Sequence, residues 1–121
     1  LAVHTHGLEP KNIMFDMLAF TVGTGEEEDR LAGLHAYDAI KEIHQTYPEV
    51  DSTLGLSNIS FGLEKNARFY LNSVFLHHCI EAGMTSVIIN VKHIIPLAKM
   101  TKDDIAICEE LLFTPDKDSL F

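Results

Sequence analysis

"STLGLSNISFG", residues 52–62, decides how the chain reads. Residues 52–57 form a short apolar run built on Leu54 and Leu56, and the run stops on one amide, Asn58. A bounded run of this length reads as a buried strand, placed near 52–58. "ISFG" then opens a loop, which puts Asn58 at the strand's C-terminal end.

The same plan recurs on either side. "NIMFDMLAF" (12–20) contains a first strand near 12–18, broken by one acid, Asp16. "SVIINV" (86–91) is a third, rich in β-branched residues, with Asn90 near its end. Between strands the apolar period changes to that of a helix. Leu31, Leu34, Ala36, Ala39, Ile40, Ile43 and Tyr47 predict a helix near 25–47 that Pro48 ends. Thr24 with Glu27 fits a capping box at its start. A second helix is expected near 65–82, facing inward with Ala67, Tyr70, Leu71, Val74, Phe75, His78 and Cys79, and stopped by Gly83. A third, near 101–113, starts with Thr101 and Asp104 as its cap. The tail after Pro115 reads as polar and loose.

Three strand–helix units with strands apolar on both faces predict an α/β fold with parallel strands. At 121 residues the chain is one domain, and 46% apolar residues make it globular. A net charge of −9 without a basic cluster argues against nucleic acid and against an anionic membrane surface. No apolar run approaches the roughly 20 residues a spanning helix needs. "LAVHTHGLEP" has no basic region followed by an apolar stretch, so it does not read as a signal peptide. Leu1 in place of methionine is compatible with a fragment. Cys79 and Cys108 sit inside apolar helical patterns and read as reduced core thiols of a cytoplasmic protein.

Asp16, Asn58 and Asn90 therefore fall at the same end of three parallel strands. In parallel α/β folds, and in (β/α)8 barrels above all, that rim holds the active site. The other constellations are weaker. Seven histidines lack the spacing of a zinc site, so no metal is expected. "VGTGEE" is neither a phosphate loop nor a dinucleotide fingerprint.

"FDMLAFTVGTGEEEDR", "LGLSNISFGL", "RFYLNSVFLHHCIEAGM" and "SVIIN" resemble the pterin-binding domain of cobalamin-dependent methionine synthases. They also resemble the related methyltetrahydrofolate:corrinoid/iron–sulfur protein methyltransferases. The resemblance runs from about Gly7 to Phe113. It implies a (β/α)8 barrel of which this chain supplies the C-terminal part, the sixth to eighth strands, with the first five missing. It also implies binding of methyltetrahydrofolate and transfer of the N5-methyl group to a corrinoid.

On that resemblance Asp16 accepts the 2-amino-4-oxo edge of the pterin, though Met17 stands where the family has proline. Asn58 acts at N5, as the catalytic residue. Arg68, four residues before Asn72, lies near the pterin, and Ser60, Phe61 and Asn90 complete the candidate substrate contacts. Cobalamin is expected on a partner domain or protein, because nothing here resembles a corrinoid-binding loop. The isolated chain is expected to be inactive and to need the missing half-barrel or self-association. Three alternatives stand beside this reading. One is a pteroate-condensing enzyme such as dihydropteroate synthase, whose basic motif is not seen. Another is a non-catalytic subunit that binds folate or contacts a corrinoid protein. The third is a small flavodoxin-like domain.

Overall fold

The computed structural model describes residues 1–24 and 26–113. Gly25 and the expected polar tail after Pro115 lie outside the described residues. Two strands, β1 (Met14–Asp16) and β2 (Asp51–Thr53), pair in parallel with Met14 opposite Asp51 and Asp16 opposite Thr53. Helix α1 (Ala32–Thr46) joins them, α2 (Lys65–Glu81) follows β2, and α3 (Lys102–Phe113) ends the described chain. The fold is α/β with a parallel two-stranded sheet.

Residues 86–90 run parallel to β2 but form no full strand. Their pairing is one bridge, Gly55 with Ile88. The Ile88 N–H donates to Leu54 O at 2.9 Å, and the Leu56 N–H donates to Ile88 O at 3.3 Å. The expected strand over 86–91 is thus an edge segment with a partner on one side only, among the described residues.

Two further expectations need correction. Residues 52–58 are not one strand: β2 ends at Thr53, and Leu56–Ser60 is a 3-10 helix. Burial of Leu54 and Leu56 mimics a strand, but Leu56, Ile59 and Ser60 are buried by a tight turn instead. The first helix begins at Ala32, not near 25, after a separate 3-10 turn at Glu27–Asp29. Thr24 forms no capping box with Glu27. Its hydroxyl accepts from the Glu26 N–H at 3.1 Å and donates to Asp29 at 2.8 Å. Such local bonds compete with helix starts.

The other helix ends follow sequence chemistry. The Thr101 hydroxyl accepts from the Asp104 N–H at 3.1 Å and donates to the Asp104 carboxylate at 2.7 Å, a reciprocal cap for α3. Glu64 caps α2 by accepting from the N–H groups of Asn66 and Ala67. Gly83 ends it at φ +113°, a conformation side chains resist, and a Cβ there would meet His44 at 2.9 Å.

The core lies on one face of the sheet. Ile40 of α1, Leu71, Val74 and Phe75 of α2 and Leu112 of α3 close over Leu54, Leu56 and Ile59. Ser52, on that same face, hydrogen-bonds His44 of α1 at 2.7 Å. Side chains alternate along a strand, so the other face carries Met14, Asp16, Ile88 and Asn90. It is bare: Met14 is 54% exposed and Ile88 67%, whereas Leu54 is fully buried.

Candidate functional site

Parallel pairing gives β1, β2 and the 86–90 segment one common C-terminal end. Asp16 is the last residue of β1 and is exposed. Its Oδ1 accepts from the Leu18 N–H at 3.1 Å. That bond holds a tight turn in which Leu18 takes φ +52°, rare outside glycine. Met17, standing where the resembling family has proline, keeps its N–H and donates it to Thr53 O at 3.1 Å. The turn after β1 is therefore fixed without proline, and it leaves the second carboxylate oxygen free of protein hydrogen bonds among the described residues.

Asn58 sits within the Leu56–Ser60 turn rather than on a strand. Backbone bonds hold it at both ends: its N–H donates to Gly55 O, and its C=O accepts from the Phe61 N–H. Its exposed carboxamide makes no hydrogen bond among the described residues. Both functions of that amide are available to a ligand.

A buried brace stands behind this turn. Arg68 Nε donates to Ser60 Oγ at 3.1 Å, and Arg68 Nη2 donates to Ser57 O at 3.1 Å. Ser60 Oγ in turn donates to Asn72 Oδ1 at 2.7 Å. Ser60 is fully buried, and its hydroxyl bonds hold the turn. Phe61 is exposed, with its ring centroid 6.0 Å from the Arg68 guanidinium. The Thr21 hydroxyl donates to Phe61 O at 2.6 Å, tying the loop after β1 to the loop after β2. Gly23 permits that approach, because a Cβ there would come within 2.7 Å of the same carbonyl.

Asn90 is exposed at the third segment's end. Its Oδ1 accepts from the Lys92 N–H at 3.1 Å, so it caps the Val91–His93 turn. Its Nδ2 lies 3.4 Å from His93 Nε2. Asp16, Asn58 and Asn90 thus follow the C-terminal ends of the three parallel segments, with the Arg68–Ser60–Asn72 hydrogen bonds behind the Asn58 turn. Sequence reasoning missed Asn72 as part of the brace. The available signal was a single amide inside the apolar helical run "FYLNSVFL".

The thiols take no part. Burial pushes Cys79 up to about 12. Burial first, then the carboxylates of Asp104 and Glu109, pushes Cys108 up to about 11. Both stay neutral and free. No described helix is long and apolar enough to cross a membrane.

A family model described as "Pterin binding enzyme" matches residues 1–90. The chain belongs to the pterin-binding enzyme family. Among relatives, the methionine synthase of Mycobacterium tuberculosis (strain ATCC 25618 / H37Rv) is 43% identical over 107 residues, covering 88% of this chain and 9% of that protein. The methionine synthase of Mycobacterium leprae (strain TN) is 47% identical over 97 residues, covering 80% of this chain and 8% of that protein. This pterin-binding enzyme chain therefore spans less than a tenth of the length of the curated relatives it matches.

Proposed function

We propose that this chain is the C-terminal part of a pterin-binding (β/α)8 barrel that holds methyltetrahydrofolate for transfer of its N5-methyl group to a corrinoid. The observation that carries this reading is the shared rim of Asp16, Asn58 and Asn90 beside a bare sheet face. In a doubly wound fold, helices cover both faces of the sheet. In a barrel, helices lie outside and the other face turns inward to be filled by the remaining strands. Here the three described helices pack on one face only. That supports the barrel and disfavours the flavodoxin-like alternative.

The chemistry follows from the two polar groups. The free oxygen of Asp16 accepts N–H bonds from the amino-oxo edge of the pterin. A tertiary amine is a poor leaving group until it is protonated. Asn58 accepts from a protonated N5, or donates to the neutral nitrogen, and so stabilises the charge as the methyl departs. The brace of Arg68, Ser60 and Asn72 keeps that amide in place. The corrinoid is the acceptor substrate, brought by a partner domain or protein. The N5–carbon bond breaks, carbon binds the acceptor, and tetrahydrofolate leaves with its proton on N5.

Alone, the chain lacks the strands that pair its edges and close the pocket. It is expected to be inactive, and to pair with an N-terminal half or with itself. Size-exclusion chromatography checks this; a stable soluble monomer contradicts it. With the N-terminal half supplied, Asp16→Ala should abolish methyltetrahydrofolate binding. Asn58→Ala should lower methyl transfer by about 10²–10³-fold, the usual loss of one preorganised donor. Unchanged binding and rate in both variants would refute the assignment.

A further inference from the structure

The loops that follow β1 and β2 are clasped together. Asp16 precedes the first loop, and Asn58 lies in the turn that opens the second. Where the first loop begins, the Met17 N–H donates to Thr53 O at 3.1 Å. Ala19 and Val22 are buried and anchor its middle in the core. Beyond them it meets the second loop twice. The Val22 N–H donates to Ile59 O at 3.0 Å, and the Thr21 hydroxyl donates to Phe61 O at 2.6 Å. That hydroxyl also accepts from the Gly23 N–H at 2.9 Å, which fixes the direction of its proton.

The two links differ in what they ask of the sequence. The bond from Val22 uses backbone atoms that any residue except proline supplies. The bond from Thr21 needs a side-chain hydroxyl. It also leads to Asn58 in two steps: Phe61 O accepts from Thr21, and the Phe61 N–H donates to Asn58 O at 3.2 Å. The Arg68 brace holds the same turn toward α2, through Ser57 O and Ser60 Oγ. The clasp holds it from the opposite partner, the loop after β1. Both hydrogen-bonding functions of the Thr21 hydroxyl go to protein atoms, so it works through the turn and not on a ligand.

We propose that Thr21 is a positioning residue for methyl transfer: through Phe61, its hydroxyl sets where the Asn58 carboxamide stands relative to Asp16. This rests on the pterin reading above and deepens it by separating the two polar groups. Asp16 is held by its own turn, through the N–H groups of Leu18 and Met17. Asn58 depends on the clasp. A misplacement of about 1 Å can cost about 10²-fold in rate, so a lost clasp is read in turnover more than in affinity.

The test is a double-mutant cycle in the full chain assembled with an N-terminal half. Calorimetry gives Kd for methyltetrahydrofolate, and methyl transfer to free reduced cobalamin gives kcat. Thr21→Val keeps the branched shape and removes the hydroxyl. It should lower kcat by at least about tenfold while Kd changes by less than about twofold. Thr21→Ser, which keeps the hydroxyl, should restore kcat. In an Asn58→Ala background Thr21→Val should bring no further loss, because the group it positions is gone. An unchanged kcat, a Kd that worsens as much as kcat, a loss that Thr21→Ser does not repair, or an additive loss beside Asn58→Ala would overturn the proposal. A wild-type assembly that binds no methyltetrahydrofolate would sink the pterin reading and this proposal with it. A working wild type with an indifferent Thr21→Val would sink this proposal alone.

Discussion

The two faces of the small sheet differ more than any other pair of regions in the molecule. On one, Ser52 and Leu54 are sealed beneath three helices. On the other, Met14 and Ile88 stand in solvent beside Asp16 and Asn90. Along β2 burial alternates from Asp51 to Leu54, whereas all three residues of β1 are exposed. The helix face is closed over Ser52 and Leu54, while the other face leaves Met14 and Ile88 exposed among the described residues. On the proposed reading, that exposed face is the inner side of a barrel wall.

The largest expected effect tests the closed face. Phe75→Ala should cost about 3–5 kcal/mol in urea unfolding, by lost transfer energy and a cavity. A far smaller cost would mean that the helices are not packed on the sheet. Next comes alkaline pH. Cys79 has its pKa raised from 9.0 to about 12, so the folded thiol stays neutral while the unfolded one ionises. Stability from this group is full below about pH 9 and is lost as pH rises toward 12. At about 1.36 kcal/mol per unit, Cys79 accounts for up to about 4 kcal/mol, and Cys79→Ala should flatten the curve.

Ser60→Ala strips Arg68 Nε and Asn72 Oδ1 of their partner together, and should cost about 1–3 kcal/mol. Faster amide exchange at Phe61, whose N–H closes the Asn58 turn, would confirm that the brace holds it. The smallest effect belongs to the bare face. Ile88→Ala should change the stability of the isolated chain by no more than about 0.5 kcal/mol, as exposed positions do. If it costs as much as Phe75→Ala, the two faces are not different.

Much of this was legible in the residues themselves. Helical spacing placed α2 through Leu71, Val74, Phe75 and Cys79, and Gly83 and the Thr101–Asp104 cap sit where their chemistry puts them. Three features were hidden for physical reasons. Leu54 and Leu56 alternate like a strand, but a 3-10 turn buries Leu56 equally well, and only tertiary contacts choose between them. Thr24 had two hydrogen-bonding options, and the local turn won. The ladder at 86–90 depends on neighbours, and β-branched residues cannot supply a missing one. The exposed positions of Asp16, Asn58 and Asn90 after apolar runs could be read, while their role at a site is the proposal made above. The burial of Ser60 and its bond to Asn72 could not, because they join residues twelve apart through a fold not yet formed.

The most direct measurement is calorimetric titration of methyltetrahydrofolate into this chain combined with an N-terminal half carrying five further strands. Saturable binding that either half alone lacks, and that Asp16→Ala removes, is the predicted result. Equal binding by the wild-type and Asp16→Ala assemblies, or none in a complex shown to be folded, would contradict the barrel-rim assignment.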